Sequence, residues 1–153
     1  LVAKNYTNVD LGNVDIIFNI KTKANVIGGQ SAGSTMTIAV IAGLLNKTLR
    51  PEVIMTGSIR EDGHMGDAGA IKEKARAAKE ANATLFLVPA GSGSEIKAYK
   101  REKKCGSYND YEYCEISYVE DKRNIGDNLE IKVVEISTIE EAVEYFFADE
   151  KKT

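Results

Sequence analysis

The 153-residue sequence predicts a single α/β domain. Three observations carry that prediction. Short β-branched and aliphatic runs alternate with segments of helical periodicity. The composition, 43% apolar and 28% charged, is that of an ordinary folded domain. No linker or internal repeat divides the chain, and a domain of this length buries roughly two thirds of its unfolded surface.

The elements follow in order. Residues 14–20 (VDIIFNI) read as a strand, then a polar turn leads to a glycine-rich stretch, residues 27–33 (IGGQSAG). Residues 36–45 are apolar without alternation and read as a buried helix that Asn46 ends. Residues 53–58 read as a buried strand. Asp62-Gly63 is a turn signal that makes residues 59–65 a hairpin. Residues 71–82 (IKEKARAAKEAN) are good helix formers with helical periodicity. Residues 85–88 form a short strand closed by Pro89 and Gly91, and residues 131–136 form another. Ser137 with Glu140, or Thr138 with Glu141, offers a capping box for a last helix. That helix places Ile139, Ala142, Val143, Phe146 and Phe147 on one face.

Composition excludes several functions. A formal charge of −3 argues against nucleic-acid binding through bulk positive charge. The longest strongly apolar run, residues 38–45, is far shorter than a bilayer span of ~18–20 residues. The chain begins at Leu1 and reads as an excised or processed piece, so its start carries no information on targeting. One histidine, His64, excludes a multi-histidine zinc site and leaves a Ser-His-Asp triad a single base. No metal or cofactor is expected.

One lysine breaks the pattern of the helix at residues 71–82. Ile71, Ala75, Ala78 and Ala81 form its apolar stripe, and Lys72, Glu73, Arg76, Lys79 and Glu80 lie opposite. Lys74 falls within the stripe. It is either a snorkelling side chain with its ammonium in water or an amine withdrawn from water. A lysine of ordinary pKa, ~10.4, is neutral in fewer than about one molecule in a thousand at neutral pH. Withdrawal from water favours the neutral form, which can act as a general base.

The second candidate is Ser31. Gly29-Gln30-Ser31-Ala32-Gly33 fits a nucleophile on a tight turn before a helix. The glycines allow backbone angles that other residues avoid, and Ala32 and Gly33 leave room for a substrate backbone. A helix start also offers unpaired N–H groups that can hold an oxyanion. The simpler alternative is that Ser31 is an N-cap. Other chemistries fail on spacing. Gly28 and Gly33 are separated as in a phosphate-binding loop, but Ser34 stands where that loop needs lysine. A hydrolase triad needs serine, then an acid, then histidine in chain order; the only aspartate between Ser31 and His64 is Asp62, almost adjacent to the histidine, and the chain is short for that fold. A dinucleotide fingerprint lacks its third glycine.

Together these segments resemble the proteolytic domain of the Lon peptidase family. The resemblance covers about residues 14–91, half the chain, with four ordered motifs: GGQSAG, the strand ending MTGS at residues 55–58, GDAGAIKEK at residues 66–74, and the strand ending at Pro89. The serine-to-lysine separation is the one that family uses. The resemblance implies a mixed-sheet α+β fold over residues 1–153, similar to the second domain of a small-subunit ribosomal protein and to galactokinase-type kinases. It implies a serine endopeptidase with a Ser31/Lys74 dyad and a polypeptide substrate. It places Thr56 near the lysine amine and Gln30 and Ala32 beside the nucleophile. It also implies an ATPase or a membrane anchor in flanking segments, and it allows a homo-oligomeric ring. The likeness is greater to archaeal Lon-like proteases, some of which lack the ATPase.

The sequence departs from the family at two places. Gly28, Gly29 and Gln30 occupy the positions where an acidic residue generally precedes the nucleophile. The usual glycine pair before the lysine helix is Gly69-Ala70. Two other readings follow, a kinase-like phosphate-binding domain and an inactive peptidase-like scaffold.

The segment at about residues 97–120 reads as an inserted hairpin. With Asn109-Asp110 as a two-residue turn, Tyr108 faces Tyr111 and Cys105 faces Cys114 in a non-hydrogen-bonded pair. Cα atoms are ~4.5 Å apart there, close enough for a disulfide. A disulfide favours an extracytosolic or membrane-anchored setting, or a hyperthermophile's cytosol. Lysines along the hairpin guard its edge better than they suit nucleic acid, given the acidic flanks.

Overall fold

The computed structural model of the chain describes residues 1–21 and 28–147. Its centre is a three-stranded parallel sheet of order β1 (Val53–Met55), β4 (Leu85–Pro89), β7 (Lys132–Ile136). Alternation along the strands sorts side chains to two faces. Met55, Leu87 and Ile136 point to one face, packed with Ile38 and Ile41 of α2 (Gly33–Leu45) and Ile139, Val143 and Phe146 of α4 (Ile139–Phe146). A short N-terminal helix, α1 (Val2–Thr7), joins that layer through Ala3. Phe86, Val88 and Val133 point to the other face, against Ile71, Ala75 and Ala78 of α3 (Ile71–Glu80). The result is three layers, helices on both faces of a parallel sheet.

Three smaller pieces complete the fold. β2 (Ser58–Ile59) and β3 (Met65–Gly66) pair antiparallel around the Asp62-Gly63 turn, where Asp62 Oδ1 accepts from the His64 amide at 3.0 Å. β5 (Ser94–Tyr108) and β6 (Tyr111–Asn124) form a long two-stranded hairpin. Cys105 and Cys114 are directly opposite and disulfide-bonded, with Cα atoms 4.0 Å apart. At the start of α4, Thr138 Oγ1 accepts from the Glu141 amide at 3.3 Å, which selects the Thr138/Glu141 capping alternative. Glu141 Oε2 reaches back to the amide of Ser137 at 2.8 Å.

Several expectations need correction. Residues 14–20 form no strand: among the described residues no neighbouring strand pairs with them, and Ile17 is 89% exposed. The strand expected at residues 53–58 stops at Met55, and Ser58 turns into a separate pairing. Helix α3 ends at Glu80, so Ala81 is exposed and leaves the apolar stripe, while Ala83 is buried beyond it. Helix α2 starts at Gly33, three residues before the apolar run. Ile27 of the glycine-rich stretch lies outside the described residues.

Candidate active site

The site lies just past the C-terminal end of β1, where an open parallel sheet leaves a crevice for ligands. Three pieces converge on it: a 3-10 turn (Gln30–Ala32) leading into α2, Thr56 after β1, and the first turns of α3.

The turn exists because of Gly29, whose φ of 102° is accessible to glycine and rarely to other residues. Gly33 has a different reason. A Cβ there would stand 3.3 Å from Ile59 Cγ2, so its smallness serves packing on β2, not room for a substrate. The N-cap role considered for Ser31 is also overturned. Gly29 caps the 3-10 turn and Ala32 caps α2, with no side-chain capping bond at either. The Ser31 hydroxyl is turned toward α3 instead.

There Lys74 Nζ lies 2.8 Å from Ser31 Oγ and 3.1 Å from Thr56 Oγ1. The half-buried lysine is held where its helix meets the strand end. Thr56, 5% exposed, uses its single hydroxyl proton to donate to the Ser31 carbonyl at 3.1 Å. Its oxygen is therefore an acceptor toward Lys74. The amine thus donates to both the Thr56 and the Ser31 hydroxyl oxygens.

Sequence reasoning missed the brace beneath this triangle. The Gly57 amide donates to the Ser31 carbonyl at 2.8 Å. Ser34, fully buried, donates to the Gly57 carbonyl from its hydroxyl at 2.8 Å and from its amide at 3.1 Å. Thr35 Oγ1 donates to the Met55 carbonyl at 3.0 Å. The start of α2 is thereby laced to residues 55–57, which fixes the Ser31 backbone before its side chain is used. The one local signal was a hydroxyl at residue 34, one turn after Ser31 and just ahead of the apolar run at residues 36–45.

Ser31, Ala32, Thr56 and Lys74 border a cavity of about 410 Å³ whose walls include Ile54, Ala77 and Phe86. Gln30 is exposed, and its carbonyl accepts from the Gly33 amide, so it shapes the turn. His64 stays in its turn, its imidazole 58% exposed and 3.3 Å from Asp62. Cys105 and Cys114 belong to the hairpin and do not line the cavity. Ala70, immediately before α3, has φ 54° and ψ 43°, so a non-glycine residue holds a left-handed conformation at the entrance to the lysine helix.

A family model described as the Lon protease (S16) C-terminal proteolytic domain matches residues 5–106, a span that contains Ser31, Thr56 and Lys74. Among curated proteins, the chain is 35% identical over 85 residues to a Lon protease of Heliobacterium modesticaldum, covering 56% of this chain and 10% of that protein. It is 39% identical over 75 residues to a Lon protease of Koribacter versatilis, covering 49% of this chain and 9% of that protein. It is 30% identical over 100 residues to an archaeal Lon protease of Methanothermobacter thermautotrophicus, covering 65% of this chain and 16% of that protein. The chain thus corresponds to a small part of the length of these relatives.

Proposed function

The chain belongs to the Lon protease proteolytic-domain family, and from that membership we propose that it is a serine endopeptidase domain acting through Ser31 and Lys74. The observation that carries the reading is the 2.8 Å approach of Lys74 Nζ to Ser31 Oγ, with Thr56 holding the amine from the side.

The residues divide the chemistry as follows. Neutral Lys74 accepts the Ser31 proton as Oγ attacks the scissile carbonyl carbon. The oxyanion meets backbone N–H groups of the first turn, at Ser31 and Ala32, which a helical start leaves without intrahelical partners. Lys74 then returns its proton to the departing amine, which leaves an acyl ester on Ser31. Water attacks that ester with Lys74 again as base, and free Ser31 and the carboxylic acid result. Thr56 is a positioning residue. The apolar cavity walls suit the side chains of an extended polypeptide.

The test is cleavage of an unfolded protein such as casein. Ser31→Ala and Lys74→Ala should each abolish cleavage, with circular dichroism and melting temperature close to the parent. Retained cleavage in either folded variant contradicts the dyad.

A further inference from the structure

Three Asn-x-Thr tripeptides stand in the chain: Asn5-Tyr6-Thr7, Asn46-Lys47-Thr48 and Asn82-Ala83-Thr84. With no proline in the middle, each has the pattern that accepts an oligosaccharide on its asparagine amide in chains that leave the cytosol. The attached group is bulky, so it belongs on an open surface.

The fold treats the three differently. Asn5 sits inside α1, where the Thr7 hydroxyl donates to the Ala3 carbonyl at 2.8 Å and accepts from the Val9 amide at 3.3 Å. Asn82 is exposed, but Ala83 beside it is 2% exposed. Thr84 is fixed from both sides, its amide donating to the Glu52 carbonyl at 3.0 Å and its carbonyl accepting from the Lys132 amide at 3.1 Å. The middle tripeptide is open. Asn46, Lys47 and Thr48 are all exposed and lie beyond the end of α2, outside any helix or strand. Asn46 ends that helix in the left-handed region, at φ 51°. That conformation accounts for an asparagine at residue 46. It does not account for an exposed threonine two residues later.

Position and chemistry agree with an attached group. Helix α2 starts beside Ser31 and ends at Asn46, so the two lie roughly 20 Å apart at 1.5 Å per residue. A bulky substituent at Asn46 therefore leaves the cavity at Ser31 open. The Cys105–Cys114 bond is an independent observation of the same setting. Its two residues are exposed, and such bonds as a rule persist outside the reducing cytosol.

We propose that Asn46 carries an N-linked oligosaccharide and that the fold reserves this position among the three. The donor is an oligosaccharide on a lipid phosphate carrier. Nδ2 of Asn46 attacks the anomeric carbon of its first sugar. A C–N bond forms as the C–O bond to the phosphate breaks, the lipid phosphate leaves, and a base of the transferring enzyme takes the amide proton. The modification is independent of the peptidase chemistry.

Peptide mapping by mass spectrometry, on the protein isolated from its own cells, tests it. An oligosaccharide-sized adduct should lie on the peptide that contains Asn46, with the peptides of Asn5 and Asn82 bare. Secretion behind a cleavable signal from a host that glycosylates should reproduce the adduct. In that host Asn46→Gln and Thr48→Ala should each lose the whole adduct mass, while Thr48→Ser should keep it. A bare Asn46 in the natural protein overturns the proposal, and it is the result expected if the disulfide forms in a cytosol that tolerates it. An adduct confined to Asn5 or Asn82, equal occupancy of all three, or an adduct that survives Thr48→Ala overturns it as well.

Discussion

At the scale of single residues, the candidate site rests on a division of labour around one hydroxyl. Thr56 spends its proton on the Ser31 carbonyl and its lone pair on Lys74. Thr56→Val keeps the volume and removes both bonds. Peptide cleavage should fall at least about tenfold, the scale of one lost hydrogen bond to an ionisable group. Thr56→Ser should recover most of the loss, which a purely structural role for the methyl group would not allow. Lys74→Arg should be inactive in cleavage assays, since a guanidinium does not deprotonate and cannot take the serine proton. Ala70 offers a stability test at the same scale. Its left-handed conformation costs a non-glycine residue roughly 1–2 kcal/mol, partly offset by the greater unfolded-state freedom of glycine. Ala70→Gly should therefore stabilise the chain by up to about 1 kcal/mol in urea unfolding. The residues of the site were legible for different reasons. Lys74 stood out because a helical wheel put a charge among alanines. Ser31 and Thr56 stood out through ordered motifs. Ser34 and Gly57 did not, because their bonds join segments more than twenty residues apart and a lone hydroxyl at residue 34 does not reveal its partner.

At the scale of elements, the hairpin is joined by charge to the helix that carries Lys74. Lys72, two residues before Lys74 on α3, donates to Glu95 at the base of β5 at 3.1 and 3.3 Å, and Lys97 pairs with the same carboxylate. The hydrogen bond from Lys97 first, and that from Lys72 next, hold the Glu95 carboxyl below its ordinary value of 4.5. A carboxylate with a depressed folded pKa stabilises above the unfolded value, and the contribution is lost as pH falls through the folded one. The hairpin base should therefore loosen below pH 4.5. An NMR titration of amides near Glu95 should show the transition, and Glu95→Gln should remove it. The disulfide acts at the other end. Closing a loop of this length contributes about 2–3 kcal/mol in the chain-entropy model, so reduction should raise amide exchange in β5 and β6 and leave the central sheet protected. Elements with strong periodicity, α3 and α4, were legible to within two residues. The hairpin was legible because its turn and its cysteines agree on one register. Residues 14–20 misled because alternation supplies a strand's side chains but not its partner. Helix α1 was invisible because six residues with one buried side chain carry too little pattern.

At the scale of the whole molecule, the parallel sheet is what turns a distant pair of residues into neighbours. Ser31 enters from the α2 layer and Lys74 from the α3 layer, on opposite faces, and they meet beyond the end of β1. The alternation of strands and helices was enough to read a single α/β domain. The order of the strands and the brace at Ser34 depended on tertiary packing. If that brace sets the geometry, Ser34→Ala should lower stability by about 1 kcal/mol through the lost hydroxyl bond and reduce cleavage as well. Parallel melting curves and casein assays would show both effects, and a loss of stability with full activity would confine Ser34 to packing.

The claim most exposed to test is that Lys74 activates Ser31. Intact-mass kinetics of labelling by a fluorophosphonate, followed by peptide mapping, measures this without a protein substrate. The expected result is a single adduct on Ser31, its formation slowed by roughly 10²–10⁴-fold in Lys74→Ala. An adduct elsewhere, or equal labelling rates in the two proteins, would contradict the account.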